Sequence, residues 1–471
     1  MPVAGPRTAA TPARGRTVRW WRPSVFLAAH APLALAMASA EVVSTVHALL
    51  TLVVGLLWAG SGRKPERVAY VGAYIAGAEV LWRMTDARVF WEFGKYATAL
   101  LFLVALFRTG RSLRPPAIGI YFLLLLPSAI FTLLDYDFYQ ARRELSFNLS
   151  GPFALTICVF FFSQLVVTRL SLVRLFLALL APVIGMGAIA LSGTLSVASL
   201  AALSGSSSSA TSGGFGPNQV SAVLGLGVLF AFFLIQESGL PAFLRALIFL
   251  LMIGLAAQSA LTFSRGGLYM AGGAAVAASL FLMKDGTSRL KLLVVAALCF
   301  AAAKYVILPR LDAVTGGSLV ARFEDVGLTG REEIAAVDLE VWGENPILGV
   351  GPGQSRLYRG GMHAHTEFTR ALAEHGALGL LALLLLLYCG WKAFREKRTA
   401  RGRALSAAFI VWAMLFLGVN GMRLVAPSFA FGLAFLRLAR SRNGARSPAA
   451  AGGRLATGPR APLAVLPGRI A

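Results

Sequence analysis

One polar stretch interrupts a chain that is otherwise a succession of apolar runs. From Pro309 to Gly376 charged side chains collect with three of the five histidines, and on either side the apolar runs follow one another with short, basic connections. A soluble core cannot absorb that much apolar surface. The 57% hydrophobic and 14% charged content, with a mean hydropathy of +0.71, lies far from a soluble domain, where about 25% of residues are charged. In hydrocarbon every backbone N–H and C=O has to be satisfied within the segment, which leaves helices as the spanning element. The expected fold is all-α: a polytopic transmembrane helical bundle with one large, partly helical loop outside the membrane.

A span needs about 20 mostly apolar residues, and several runs here are shorter, so about 12 to 14 spans are expected. Sidedness follows from the basic residues, which concentrate in cytoplasmic connections. With the N-terminus inside, alternate connections carry Arg63 and Lys64, then Arg108, Arg111 and Arg114, and later Lys392 to Arg403. This register puts both termini in the cytoplasm and the long polar stretch outside. It divides the chain into a disordered basic N-terminus (1–23), transmembrane helices (24–308), a large extracytoplasmic loop (309–375), further transmembrane helices (376–440) and a disordered basic tail (441–471). The run ending at Ala38-Ser39-Ala40 resembles a signal peptide, but it is expected to remain as the first span.

The net charge of +23 is spread over loops and tails, which fits attraction to anionic membrane lipids and excludes nucleic acid as the partner. Cys158, Cys299 and Cys389 each fall in an apolar run and read as packing residues rather than a disulfide framework. No Walker-type phosphate loop is present, so coupling to ATP is unsupported.

Four segments carry groups capable of chemistry. In Thr262-Phe-Ser264-Arg265-Gly266-Gly267 the glycine pair permits a tight turn and close approach of a ligand. There Arg265 either snorkels to lipid headgroups or presents a planar fork to phosphate oxygens. The second segment runs from Arg322 through Arg331 to Gly353. Over 331–343 the spacing of Ile334, Val337 and Val341 predicts a helix with its acids on the opposite face, capped by Thr329, and Gly349-Val-Gly351-Pro-Gly353 reads as a turn. In the third, His363-Ala-His365-Thr-Glu367-Phe-Thr-Arg370, a helix opens at His365 or Thr366 and aligns Glu367, Arg370, Ala371 and Glu374 on one face. Its imidazoles suit proton transfer. The ligand types would also admit a metal, but His-x-His suits a strand better than a helix and no zinc motif is present, so no metal is assigned. In the fourth, Gly216-Pro217-Asn218, Asn218 is read as a helix N-cap whose helix end could accept an anion. Glu41, Glu79, Arg83, Glu92 and Lys95, in or near spans, either pair with one another or line a groove for a lipid carrier.

In their order along the chain, Ser146-Phe-Asn-Leu-Ser-Gly151-Pro152, Gly216-Pro-Asn218, Ser264-Arg265-Gly266-Gly267, Arg331 with Asn345-Pro346-Ile-Leu-Gly349, and His365-Thr-Glu367-Phe with Glu374-His-Gly376 resemble the O-antigen ligase and polymerase family of bacterial membrane glycosyltransferases. The family often has Asn after the histidine, where this chain has Thr366. The resemblance implies transfer of a glycan from an undecaprenyl pyrophosphate carrier to a hydroxyl of a lipid, protein or glycan acceptor. The reaction would take place at the outer face of the bacterial cytoplasmic membrane, in surface polysaccharide or lipopolysaccharide synthesis, with no cofactor.

Under that resemblance Arg265, Arg331 and Arg322 are expected to bind the pyrophosphate, His365 to activate the acceptor hydroxyl, and Glu367 to be the second candidate base. Asn218, Arg370 and His363 are further candidates. The alternative is a transporter or flippase for a lipid-linked oligosaccharide. Transporters tend to show internal repeats and polar, broken helices at mid-membrane, whereas the polar groups of this chain gather in one loop.

Overall fold

In a computed structural model the described residues are 20–439, apart from 111, 198–206, 285, 326, 328 and 329. The expected disorder of the basic N-terminus, apart from its last residues, and of the tail therefore lies outside the described residues, as does the expected cap at Thr329.

The described chain is helical almost throughout, and eight of its helices are long and apolar enough to cross a membrane. The other apolar runs also form helices, but these are shorter or carry more charge. Pro65–Met84 holds Glu66, Arg67, Glu79 and Arg83, and Gly266–Leu282 has 17 residues. Two expected spans are each split in two by proline. A proline ring clashes with the carbonyl four residues earlier. Accordingly, the first run breaks into Trp21–Ala28 and His30–Ser39 ahead of Pro32, and another into Pro116–Leu123 and Ala129–Asp135 ahead of Pro127. Pro152 and Pro182 are tolerated inside the long helices Phe138–Ser163 and Arg169–Ser196, where both are buried among neighbouring helices.

Burial separates central from peripheral helices. Pro217–Ile235 is enclosed over most of its length, whereas Glu41–Ser61 and Arg289–Thr315 turn apolar side chains such as Val42, Leu57 and Leu298 outward. An apolar helix exposed in this way requires lipid around it. The core between them is aromatic: Phe102 stacks on Phe161 with centroids 4.1 Å apart, and Phe176, Phe230, Phe233 and Phe409 meet edge-on or tilted. A short parallel pairing of Val166–Val167 with Arg437–Leu438 is the one sheet among the described residues.

Two close backbone contacts position the polar residues. At Gly267 a Cβ would lie 2.0 Å from the Ser221 carbonyl oxygen, and at Gly225 one would lie 2.2 Å from that of Gly267. The glycine expected to admit a ligand instead lets Gly266–Leu282 press against Pro217–Ile235. The second contact is the Gly349–Gly353 turn, whose three glycines all have positive φ. It lies along a break in the Glu367–Arg395 helix, where Gly376 has φ 57° and ψ −137°. The Val350 and Gly351 N–H groups donate to the carbonyls of Ala373 and Glu374, and Ala377 donates to that of Pro346.

The N-terminal helices hold a separate polar network. The Trp82 indole N–H donates to His47 Nδ1 (2.8 Å), and His30 Nδ1 lies 2.6 Å from the Phe26 carbonyl oxygen. Indole can only donate and a carbonyl can only accept. His47 therefore donates through Nε2 to the Tyr74 hydroxyl (2.8 Å), and Tyr74 donates to His30 Nε2 (2.9 Å). This one-way chain consists entirely of neutral groups.

Candidate functional site

Thr366 caps the Glu367–Arg395 helix by accepting from the Phe368 N–H. The first turns of that helix carry a buried ion cluster, because residues at i, i+3 and i+7 share a face. The Arg370 guanidinium bridges Glu367 and Glu374 and donates to Asn148 Oδ1 at 3.0 Å. Glu374 also accepts from Ser355 (2.8 Å), and Glu367 from the Met422 N–H (3.2 Å). Glu367 and Arg370 are thus engaged with each other as well as bordering the site.

A second buried pair lies alongside. Arg359 meets Asp338, which also accepts from Thr369 (2.8 Å). Asp338 lies on the inner face of the Arg331–Glu344 helix with Ile334 and Val341, while Val337 is only half-buried. The expected segregation of acids to the outer face therefore fails at Asp338, because a guanidinium and a hydroxyl satisfy its carboxylate inside. Burial pushes its pKa up, against the opposing pull of Arg359.

The remaining arginines have fewer acids. Phe263, fully buried, adopts φ 56°, a left-handed turn that is costly for a side chain with a Cβ. Two residues on, Arg265 donates to the Gly327 carbonyl (2.6 Å) and lies 3.9 Å from the Asp325 carboxylate. Arg322 pairs with the same carboxylate at 3.0 Å. Arg331 lies within electrostatic reach of both arginines; burial first, then their charges, lower its pKa. No ion pair to Arg331 is found among the described residues. Arg423, in the turn after the Ala400–Asn420 helix, donates to the Ala364 carbonyl (2.8 Å). It too is lowered by burial and then by Arg331, Arg359 and Arg370.

His365 lies in the field of these cations. Burial, then Arg423, Arg331 and Arg359, bring its pKa down to about 4, so it is neutral at neutral pH. It makes no hydrogen bond to a described residue. The expected pyrophosphate residues Arg265, Arg322 and Arg331 thus converge, and Arg423 links them to His365. His363, Glu367 and Arg370 instead border a small cavity of ≈30 Å³ shared with Arg356, Arg359 and Arg423. That cavity adjoins a larger one of ≈1210 Å³, which also reaches His363, Arg356 and Arg423.

Asn218 differs from its expected role. Pro217 takes the first helical position of Pro217–Ile235 and Gly216 the cap, which suits proline because its missing N–H is not needed there. Asn218 Oδ1 instead accepts from the Ser264 hydroxyl at 2.8 Å, bracing the residue next to Arg265. The glycine run 349–353 is a turn, as its spacing indicated.

Sequence reasoning missed Arg423, Arg359 and Arg356 as site residues, and it left Asn148 without a role. Arg423 carried a usable signal: it is the basic residue of the short connection after the Ala400–Asn420 helix, which the charge register puts on the same side as the long polar stretch. Among the described residues no three His, Cys, Asp or Glu side chains form a group that could hold a metal ion.

The matching family model is that of the O-antigen ligases, over residues 248–384. This stretch contains Arg265, Arg322, Arg331, His363, His365, Glu367 and Arg370. The resemblance to that family is shown there, and with the apolar helices it supports a glycan-transfer role in a multi-pass membrane protein. No curated protein matches the chain.

Proposed function

We propose that the chain transfers a glycan from an undecaprenyl pyrophosphate carrier to an acceptor hydroxyl, as a ligase or polymerase of surface polysaccharide or lipopolysaccharide. The proposed setting is the periplasmic face of the bacterial inner membrane, with both termini cytoplasmic and residues 309–375 forming most of the catalytic loop. The observation that carries this reading is a set of guanidinium groups with few carboxylates, Arg265, Arg322, Arg331 and Arg423, next to a neutral imidazole at His365. Arg265 and Arg322 share one carboxylate, Asp325, so cations outnumber acids here; such an excess suits a polyanion, and arginine forks match diphosphate oxygens in pairs.

The reaction needs no metal or nucleotide sugar under this proposal. The acceptor oxygen attacks the anomeric carbon, the bond from that carbon to the diphosphate oxygen breaks, and the carrier diphosphate leaves with the electron pair. Arg331 and Arg265 stabilise the charge that grows on the leaving group, the usual source of the largest rate effect. His365 accepts the acceptor's proton and then releases it to solvent. A pKa near 4 makes free His365 a weak base, but a bound diphosphate cancels the field of the surrounding arginines and raises the imidazole's proton affinity when it is needed. In this assignment Glu367 and Arg370 hold the loop in position.

The test uses purified full-length protein in detergent with a carrier-linked glycan and an acceptor. Arg331→Ala and Arg265→Ala should each lower transfer by about 10²–10³-fold, with membrane accumulation unchanged. Arg331→Lys should restore little of it, because a point charge lacks the fork. Wild-type transfer in both alanine variants would end the assignment. Cysteines introduced at positions 265 and 365 should react with thiol reagents added to the periplasmic side. A purified transporter would form no new glycosidic bond in this assay.

A further inference from the structure

The reaction above uses the arginines around Arg331 and leaves the larger cavity without a role. That cavity, ≈1210 Å³, is bounded by residues 90–96, by residues 133–149, and by Arg356, His363 and Arg423. It exceeds the roughly 300–1,000 Å³ of a pocket for a drug-sized ligand, and so has room for several linked sugars.

Its walls are mixed in character. Trp91, Tyr96, Tyr139 and Phe147 are among the lining residues, and aromatic side chains suit the C–H faces of sugar rings while polar neighbours suit the hydroxyls. Four arginines, at 142, 143, 356 and 423, stand against two acids, Glu92 and Glu144. The ion pairs within the wall are loose: Glu144 lies 3.9 Å from Arg356 and 4.0 Å from Arg143. Arg142 and Arg143 are exposed, and Arg142 makes no hydrogen bond or ion pair to a described residue. The excess of guanidinium groups over acids selects an anion.

The two site histidines share two arginines and differ in the others. His363 lies in the field of Arg356, Arg423, Arg359 and Arg143, whereas His365 lies in that of Arg423, Arg331 and Arg359. Arg423 and Arg359 are common to both; of the others, Arg356 and Arg143 line the cavity and Arg331 does not, so an anion in the cavity and an anion at Arg331 would meet different cations on either side of the shared pair. Transfer requires two substrates at once. On the glycan-transfer reading, we propose that this cavity is the acceptor site and that the acceptor is an anionic oligosaccharide, with phosphate or carboxylate groups on its sugars, while the diphosphate-linked donor occupies the arginines around Arg331.

The test is binding to the full-length protein in neutral detergent, using three probes: a fluorescent oligosaccharide with a phosphate monoester, the same oligosaccharide without it, and farnesyl diphosphate as a short stand-in for the carrier. The phosphorylated oligosaccharide should bind about tenfold more tightly than the neutral one, as expected for hydrogen bonds to a charged group. Arg142→Ser with Arg143→Ser should remove that preference and leave farnesyl diphosphate binding and thermal unfolding unchanged. Arg331→Ala should weaken farnesyl diphosphate alone.

Equal binding of the two oligosaccharides overturns the proposal. Loss of farnesyl diphosphate binding in the double variant, with unfolding unchanged, also overturns it by giving the cavity to the donor. Displacement of the phosphorylated probe by phosphatidylglycerol micelles, at concentrations where phosphatidylcholine has no effect, overturns it in favour of a lipid headgroup. Unchanged farnesyl diphosphate binding in Arg331→Ala counts against the donor assignment alone, because the oligosaccharide comparison does not involve Arg331.

Discussion

In the N-terminal helices His30 and His47 commit all four ring nitrogens to partners within the protein, in a line from Trp82 to the Phe26 carbonyl. His365 is the opposite case, lying near arginines without a hydrogen bond to any described residue. The same side chain is thus used in two ways. Where every nitrogen is satisfied, it fixes how helices pack, since an unmade bond in a buried network is costly. Where none is satisfied, the proposed reaction has it receive a substrate, and burial, with the cations around it, keeps it neutral. The same contrast separates the arginines: Arg370 and Arg359 are enclosed with carboxylates, whereas Arg331 has none among the described residues.

Substitutions test that contrast directly. The largest effect is expected from His365→Ala, which should reduce glycan transfer by about 10²–10⁴-fold, the range for a general base, while the unfolding midpoint in detergent stays at the wild-type value. Full activity in this variant would erase the distinction between the two histidine groups. Next is Arg370→Met, which leaves Glu367 and Glu374 buried without their partner. Breaking a buried pair costs about 3–5 kcal/mol, so unfolding should shift strongly, and activity should fall only through loss of folded protein. A variant that remained stable yet inactive would move Arg370 from the supporting cluster into the chemistry. His47→Leu comes third. It strands the Trp82 N–H and leaves Tyr74 one donor short, an expected loss of about 1–3 kcal/mol of stability. Transfer per folded molecule should not change.

The fold was largely legible because helix formation in lipid depends on local properties: runs of apolar residues, their charges, and prolines that act on the carbonyl four residues back. The splits at Pro32 and Pro127 follow that rule, but Pro152 and Pro182 stay inside unbroken helices, so which prolines break a span depends on the packing around them. The site was legible where its residues are close in sequence. The stripe of Glu367, Arg370 and Glu374 and the cap at Thr366 follow from helical spacing. What spacing could not supply was partnership across the chain. The contact of Arg359 with Asp338, the reach of Asn148 to Arg370 across 222 positions, and the approach of Arg423 to Ala364 depend on how separate helices pack. Asn218 shows the same limit at short range: a proline before it displaced it from the cap, and its partner Ser264 lies 46 residues away.

The smallest and most discriminating effect concerns pH. A histidine with its pKa held near 4 in the protein, against about 6.5 when unperturbed, remains neutral while ordinary histidines protonate. The acid limb of kcat/KM, which reports the free enzyme, should therefore fall near pH 4 rather than near 6.5. Stability has the same sign: the depressed pKa contributes fully above pH 6.5 and is lost as pH falls towards 4, because the unfolded chain takes up the proton first. Binding of the donor should move the limb. A diphosphate among Arg331, Arg265 and Arg423 offsets the charges that, with burial, hold His365 down, so the acid limb of kcat, which reports the complex, should lie higher than that of kcat/KM by about one unit. Arg423→Gln should narrow the separation, because it removes the largest of the charges acting on His365. If the two limbs coincide in the wild type, the diphosphate does not bind within reach of His365, and the open imidazole serves some purpose other than receiving the acceptor's proton.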